Sequence, residues 1–314
     1  MRIGLDVMGG DFAPKATLEG AVLAMKELEK GSVLVLIGDE KIIADGLKEL
    51  NAPADKYQIV HAPDVIGMAE SPIKAFTSKP KSSIGIGYHL LMEKKIDSFS
   101  SAGNTGAMLV GAMYSIKTIP GVIRPCLTSI LPKENGQVGV LLDVGANADC
   151  KPDVLHQFGI LGSIYAENVY GIKDPRVGLM NIGEEGGKGN LVSQATYEIM
   201  KSSKQYNFIG NVEGRDLFND MADVVVCEGF VGNVIIKLAE SVFEFTSRHK
   251  TPNPLIQRFN YEIYGGSPIL GVNGSVVVGH GISNAGTIKN MIMLSKNVAE
   301  TKIADKIQSM FSYA

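Results

Sequence analysis

The sequence predicts an α/β protein with a largely parallel or mixed sheet flanked by helices. Short runs rich in β-branched residues alternate with helical patterns along the 314 residues, as is typical of parallel strands joined by crossover helices. Polar, glycine-rich turns follow several of the predicted strands. Because ligands of such sheets bind beyond the carboxyl ends of the strands, these turns form the predicted site.

The elements are predicted in chain order from their apolar patterns. The first strand, Ile3 to Val7, leads into a helix that begins near Pro14, a residue suited to a helix start. The apolar face of this helix consists of Leu18, Ala21, Val22, Met25 and Leu28. The later strands are predicted at Val33 to Ile37, Gln58 to His61, Asp97 to Ser101, Val138 to Asp143, Val177 to Asn181, Phe208 to Val212, Val224 to Cys227 and Val276 to Val278.

Chain organisation follows from length and periodicity. We expect a single unit over residues 1–314, with a division into two lobes left open, because the length permits either. Residues 247–266 have weak periodicity and are interrupted by prolines. We therefore expect a projecting helical segment there.

Composition excludes several classes of protein. A net charge of −3 without a long basic run argues against a nucleic-acid binder. The 3 cysteines include no CxxC pair, which argues for a reducing compartment and against a structural zinc site. No apolar run approaches the ~20 residues of a membrane span. We expect a cytoplasmic protein.

The glycine-rich turns share one chemistry. Glycine allows a ligand to approach the main chain, and Asn offers a donor and an acceptor without charge. Ser101 to Gly106 is the most informative turn because it joins an apolar strand to an apolar helix, whose N-terminus favours an anion. Each turn alone is also compatible with a purely structural role. The others are Asp6 to Asp11, Asp143 to Asn147, Asn181 to Glu185, Lys188 to Asn190 and Glu228 to Asn233.

Taken in order, these motifs resemble the bacterial PlsX family, the phosphate acyltransferases of phospholipid synthesis. The resemblance spans nearly the whole chain and rests on DVMGGD, Ser71-Pro72, SAGNTGA, Arg124-Pro125, DVGAN, Gln157-Phe158-Gly159, NIGEE with KGN, Asn211 to Gly214, and GFVGNV followed by Lys237. Two positions depart from the pattern: Ile282 and Asn284 stand where many members carry Ser and Asp.

The resemblance implies an activity and a set of partners. A fatty-acyl group would pass from acyl carrier protein to inorganic phosphate, and a downstream membrane acyltransferase would use the acyl phosphate. It also implies a fold like that of the isocitrate/isopropylmalate dehydrogenases and phosphotransacetylases, assembled as a homodimer.

This chemistry needs no nucleophile from the protein. Phosphate itself attacks the thioester, so the protein holds two reactants and stabilises an oxyanion; we expect no cofactor and no metal. Lys188 is the first candidate for a phosphate-binding cation, and Arg124 is the second. Asn104 is assigned to carbonyl or phosphate contact, with helix capping as the alternative. Further candidates for substrate contact are Gly9, Gly10, Ser101, Gly103, Thr105, Asn147, Asn181, Gly183, Gly189, Asn233, His280 and Ser283.

Competing motifs are incomplete. Gly189 follows Lys188 where a Walker A loop needs Ser or Thr, and the hydrolase-like turn from Gly281 ends in Ala285. Cys126 lacks an adjacent base, and we interpret Asp6, Asp11, Asp143 and Glu185 as turn-holding residues rather than metal ligands. An acyl-CoA phosphotransferase, a nicotinamide-dependent dehydrogenase and a non-catalytic membrane scaffold that binds acyl carrier protein remain alternatives.

Peripheral membrane contact is a separate hypothesis. Two apolar helical faces lie in residues 234–266, and Arg248, Lys250 and Arg258 accompany the second, which follows Pro252 and Pro254. Ile256 and Phe259 are the expected inserting side chains. Packing of both faces in the core or in a dimer interface is the alternative.

Overall fold

The computed structural model describes residues 1–249 and 253–312. The strands are β1 (Arg2–Asp6), β2 (Val33–Gly38), β3 (Tyr57–His61), β4 (Ser98–Ser101), β5 (Cys126–Pro132), β6 (Val138–Leu142), β7 (Arg176–Met180), β8 (Asn207–Val212), β9 (Val224–Val226), β10 (Ser267–Leu270) and β11 (Ser275–Val278). The helices are α1 (Lys15–Glu27), α2 (Glu40–Glu49), α3 (Pro72–Ser78), α4 (Ser83–Met92), α5 (Thr105–Gly111), α6 (Pro152–Tyr170), α7 (Leu191–Ser202), α8 (Gly229–Arg248), α9 (Pro254–Gln257), α10 (Ala285–Glu300) and α11 (Ile303–Ser312). A π-helical turn, Ala112–Ile116, continues α5.

The chain divides into two compact units. Unit 1 comprises residues 1–118 and 261–304, and unit 2 comprises residues 119–260 and 305–314. In unit 1 the strand order is β3-β2-β1-β4-β11-β10, with β10 antiparallel to β11 and the other pairs parallel. In unit 2 it is β5-β6-β9-β7-β8, with only β5 antiparallel. The predicted class, a mixed sheet flanked by helices, is confirmed.

Unit 1 is built around buried strands covered by α1 and α10. The predicted apolar face of α1 exists, since Leu18 and Ala21 lie in a core with Ile3, Leu5 and Ile288. Gly20 lets the two helices approach, because a β-carbon built there would lie 2.5 Å from the Ile288 β-carbon. This packing fixes the loops that leave the carboxyl ends of β1, β4 and β11.

Unit 2 contains a buried ionic network at the amino ends of its parallel strands. Lys133, only 1% exposed, places its Nζ 2.6 Å from Asp223 Oδ1 and 3.3 Å from Asp220 Oδ1. Arg176, at the start of β7, donates its Nε to Asp223 Oδ2 at 2.9 Å. Burial opposes ionisation of Asp223, but hydrogen bonds from Arg176 and Lys133 hold the pKa of its carboxyl below the usual value.

Residues directly after α9 are held against unit 2, whereas the sequence predicted a projecting segment. The Arg258 guanidinium donates to the main-chain oxygens of Lys133 (2.7 Å) and Gln137 (2.6 Å). The Phe259 ring packs edge-on against Phe218 at a centroid distance of 4.7 Å. These contacts hold Arg258 and Phe259 on unit 2, so neither is free to meet a bilayer as the sequence suggested. Lys250 and Pro252 lie outside the described residues.

Candidate functional site

A buried carboxylate joins two predicted site loops in unit 1. Asp6, at the end of β1, accepts hydrogen bonds from the Ser101 hydroxyl (2.6 Å) and the Met8 N–H (3.0 Å). Ser101 Oγ also accepts from the Gly103 N–H at 2.9 Å. Burial raises the pKa of Asp6, and the hydrogen bond from Ser101 opposes that shift. Ser101 therefore links the two loops, because its hydroxyl donates to Asp6 and accepts from Gly103.

Gly9 and Gly103 are glycines because these loops touch. A β-carbon built on Gly9 would lie 2.5 Å from Asp6 Oδ2 and 2.8 Å from the Gly103 nitrogen. Gly10 has a φ of 111°, and the next N–H, that of Asp11, donates to the Gly281 oxygen at 2.8 Å. The turns after β1, β4 and β11 thus form one cluster.

Substituting Gly9 with alanine tests this close approach. We expect a loss of about 1–3 kcal/mol in the free energy of unfolding, because the Gly103 main chain has to move. Gly214→Ala is the matched control, since a β-carbon there meets no atom within 4 Å; its free energy of unfolding should stay within about 1 kcal/mol of the parent value. Denaturant unfolding of both variants measures the difference, and equal stabilities would show that the loops do not touch.

The Asn104 side chain makes the capping contact that was weighed as the alternative to substrate contact. Its Oδ1 accepts from the Ala107 N–H at 3.0 Å, which caps α5. Its Nδ2 lies within hydrogen-bond distance of three main-chain oxygens, those of Gly67 (3.2 Å), Met68 (3.1 Å) and Glu70 (3.0 Å). Because the amide is occupied at both ends, we reassign Asn104 from substrate contact to positioning of the loop before α3. Thr105, the first residue of α5, stays exposed.

The turn after β11 is held largely by its own residues. Ser283 is buried, and its hydroxyl donates to the His280 main-chain oxygen at 2.5 Å. The His280 ring packs on Tyr261 at a centroid distance of 4.8 Å, which favours a structural role for this residue. Asn284 caps α10 through Thr287 and donates its amide to Glu262 Oε1 at 2.7 Å. An Asp at position 284 could not donate that last hydrogen bond.

A second carboxylate organises the first turn of unit 2. Asp143 is fully buried, and its oxygens accept from the N–H groups of Leu127 (3.0 Å), Ala146 (3.1 Å) and Asn147 (2.7 Å). The Asn147 amide donates to Pro125 O (2.8 Å) and to Asp143 (2.9 Å). The turn-holding interpretation of Asp6 and Asp143 is thereby confirmed.

The start of α8 lies against this turn. A β-carbon on Gly232 would lie 1.9 Å from the Asp143 main-chain oxygen, so only glycine fits there. Asn233 is exposed, and its amide reaches Val144 O at 3.4 Å. Arg124 is exposed as well, with a guanidinium nitrogen 3.4 Å from Asp149 O. Arg124 and Asn233 stay predictions as substrate contacts.

The loop that carries Lys188 is closed at its base. Asn181 donates to the Lys188 main-chain oxygen (3.2 Å) and accepts from the Ile182 N–H (2.8 Å). Gly189, with a φ of 87°, packs on Asn181, and a β-carbon built on Gly183 would lie 2.9 Å from Lys188 Cγ. The Lys188 ammonium is exposed, and no carboxylate among the described residues is ion-paired with it.

Asn211 contacts the Lys188 loop and was not among the candidates. Its amide donates to the Glu185 oxygen at 2.9 Å, which tethers the Lys188 loop. Its buried Oδ1 has no hydrogen-bond partner in residues 1–249 and 253–312. The Asn211 to Gly214 motif contained this residue, but its contact with a loop 26 positions earlier is invisible in the sequence.

The candidates therefore form clusters in two units. Unit 1 holds Gly9, Gly10, Ser101, Gly103, Asn104, Thr105, His280 and Ser283; unit 2 holds Arg124, Asn147, Asn181, Gly183, Lys188, Gly189 and Asn233. Cys126 is fully buried, and burial raises its pKa, which argues against a covalent acyl carrier. Over the described residues, no three His, Cys, Asp or Glu side chains are grouped as metal ligands. Nor does any described helix combine the length and hydropathy needed to cross a membrane.

Comparison with known proteins decides the family. Residues 1–306 match the family described as fatty acid synthesis protein. The chain belongs to this family. It is 42% identical to the phosphate acyltransferase of Dictyoglomus thermophilum over 98% of this chain and 96% of that protein. The PlsX resemblance inferred from the motifs is confirmed.

Solved structures extend the comparison to the fold. A phosphotransacetylase from Streptococcus pyogenes superposes with a TM-score of 0.72 at 17% identity, covering 96% of this chain and 94% of that one. A 4-hydroxythreonine-4-phosphate dehydrogenase from Burkholderia phymatum gives a TM-score of 0.50 at 13% identity, covering 95% and 98%. At these identities the likeness concerns fold alone, and it agrees with the dehydrogenase-like and phosphotransacetylase-like fold that the motifs implied.

Proposed function

We propose that this member of the fatty acid synthesis protein family transfers a fatty-acyl group from acyl carrier protein to inorganic phosphate. The observation that carries the proposal is the nearly full-length match to proteins named phosphate acyltransferase. A phosphate oxygen attacks the thioester carbonyl, the carbon–sulfur bond breaks, and the thiolate leaves and takes up a proton. The product is an acyl phosphate.

The side chains supply charge and position in this scheme. Lys188 offsets the charge of phosphate, because its ammonium is exposed and unpaired within the described chain. Main-chain N–H groups at the glycine-rich turns stabilise the oxyanion. Asp6, Asp143 and Asn104 act indirectly, since their hydrogen bonds hold those turns. No residue serves as a covalent acyl carrier.

Thiol release from an acyl carrier protein thioester tests the proposal. We expect release that requires phosphate and is unaffected by EDTA or by the absence of NAD. The acyl-CoA phosphotransferase alternative predicts faster turnover with acyl-CoA than with the carrier-protein thioester. Activity that needs NAD and a divalent metal would indicate a dehydrogenase, and binding of the carrier protein without turnover would indicate a scaffold.

We also propose a homodimer. One face of α8 exposes Phe230, Val234, Leu238, Val242 and Phe245, which are 66%, 52%, 64%, 42% and 58% accessible. Their spacing places them on a single stripe of the helix. A stripe of this length in contact with water is unfavourable, and a second copy would cover it. Sedimentation analysis of Leu238→Asp tests this assignment, with a shift towards monomer expected.

The cellular setting follows from the product. A long-chain acyl phosphate suits delivery to a downstream membrane acyltransferase, so we propose a cytoplasmic enzyme with peripheral membrane contact. Ile256, half-buried within α9, is the remaining candidate of the two residues assigned to insertion. Reversible flotation with anionic vesicles would support this contact.

A further inference from the structure

Three large apolar side chains are exposed around the turns of unit 1. Phe12 is 56% accessible, Met68 is 43% accessible and Ile282 is 44% accessible. Each belongs to a different segment: Phe12 follows the turn after β1, Met68 precedes α3, and Ile282 lies in the turn after β11. We call these three residues the apolar rim.

Direct contacts bring the three segments together. The Asp11 N–H donates to Gly281 O at 2.8 Å, so the residues next to Phe12 and Ile282 are bonded to each other. A β-carbon built on Gly281 would lie 2.7 Å from the Met68 methyl carbon. The Asn104 amide holds the Met68 main-chain oxygen at 3.1 Å. The apolar rim therefore adjoins the glycine-rich turns instead of lying elsewhere on the surface.

The charges nearby restrict what the apolar rim can bind. Residues 8–13, 66–70, 103–106 and 280–284 contain no lysine or arginine. The Asp11 carboxylate is exposed beside Gly281, and Glu70 is already paired with Lys79 at 2.6 Å. At the apolar rim itself, the Asp11 carboxylate would repel an anionic lipid head group, because these segments carry no lysine or arginine to compensate it. A neutral hydrocarbon chain meets no such penalty and gains from covering the three side chains.

We propose that the apolar rim binds the alkyl chain of the acyl donor and sets the chain length that the protein prefers. This inference rests on the proposed function, because that reaction brings a fatty-acyl thioester to these turns. Hydrocarbon burial strengthens binding by about fourfold for each methylene removed from water. Ile282, 44% accessible in the turn after β11, is expected to adjust the preference, because its branched side chain offers apolar area that a small polar side chain would not.

Two substitutions test the apolar rim by the dependence of kinetics on chain length. With a long donor of about sixteen carbons, Ile282→Ser and Met68→Ala should each raise the donor KM by about tenfold and leave kcat within about twofold. With a short donor of about eight carbons, which covers fewer rim atoms, the change in KM should be under about threefold. The substituted side chains are exposed, so thermal unfolding should stay at the parent temperature.

Matched controls are available in the same unit. Ile42 on α2 is 41% accessible and Met92 at the end of α4 is 51% accessible, and neither lies in the four segments. Ile42→Ser and Met92→Ala should leave KM for both donors within about twofold of the parent value. A KM increase that is equal for both chain lengths, or equal in rim and control variants, would overturn the inference.

A binding measurement separates this inference from the proposed function. Calorimetry with a hexadecyl thioether of pantetheine needs no turnover, and Ile282→Ser should weaken its binding by about tenfold. The parent protein could bind this thioether through the apolar rim and yet release no thiol from the carrier-protein thioester with phosphate. That result would contradict the proposed function and leave the apolar rim assignment supported. The parent protein could instead catalyse acyl transfer while the variants bind the thioether with parent affinity. That result would contradict the apolar rim assignment and leave the proposed function supported.

Discussion

Replacing Lys188 with alanine is expected to lower kcat/KM for phosphate by about 100-fold. The substitution removes the candidate cation from a loop that Asn181 and Asn211 hold closed at its base. Because the Lys188 side chain is exposed and makes no ion pair in the described residues, its loss should leave the free energy of unfolding unchanged within about 0.5 kcal/mol. Initial rates at varied phosphate concentration measure the effect.

Two further variants isolate the charge of Lys188. Lys188→Arg keeps the positive charge and should recover part of the lost activity, although guanidinium geometry differs from that of an ammonium. Lys204→Ala removes another exposed lysine of unit 2 and should retain parent kinetics. Parent-like phosphate kinetics in a folded Lys188→Ala protein would remove this residue from the site.

Replacing Lys133 with methionine is expected to cost about 3 kcal/mol in the free energy of unfolding. Methionine keeps most of the side-chain volume, so the loss reports mainly on the charge. The substitution leaves Asp223, itself only 7% exposed, with Arg176 as its remaining cation. Chemical denaturation measures the change. Lys95→Met, which breaks an exposed pair with Glu93, should cost under about 1 kcal/mol.

The same network predicts a pH dependence. The pKa of Asp223 is held below its usual value in the folded state, whereas the unfolded chain has a value of about 4. The stabilisation is therefore complete above about pH 5 and declines as the pH falls through 4 and below. Lys133→Met removes one hydrogen bond that lowers this pKa, so its stability should fall less steeply over the same range. Denaturant unfolding of the parent protein and of Lys133→Met over this pH range measures how steeply each free energy of unfolding falls. Equal slopes would contradict the network.

The sequence predicts the strands that consist of continuous apolar runs. Val33 to Ile37 is observed as Val33–Gly38, and Val224 to Cys227 as Val224–Val226. The two strands missed, β5 and β10, are both antiparallel and carry weaker signals. Pro268 lies inside β10, and proline within a run argues against a strand. In β5, the polar pair Thr128 and Ser129 interrupts the apolar run, and prolines 125 and 132 flank it, so the strand signal is weak.

At the site, the sequence locates the turns but not the partners of their side chains. Asn104 carries a visible capping signal, yet the three oxygens that occupy its amide belong to residues 34 to 37 positions earlier. Lys133 likewise resembles an ordinary loop lysine in the sequence. Its ammonium can be buried because it is paired with the carboxylate of Asp223, 90 positions later. Such long-range contacts decide whether a polar residue contacts substrate or holds a loop, and no local pattern encodes them.

Phosphorus NMR of a reaction with ¹⁸O-labelled phosphate and an acyl carrier protein thioester tests the central claim, direct acyl transfer to phosphate, most directly. If phosphate attacks the thioester carbonyl, the spectrum should show an acyl phosphate that retains every labelled oxygen, formed in proportion to the thiol released. Release of thiol and free fatty acid in the absence of phosphate, with no acyl phosphate signal, would contradict the proposed function.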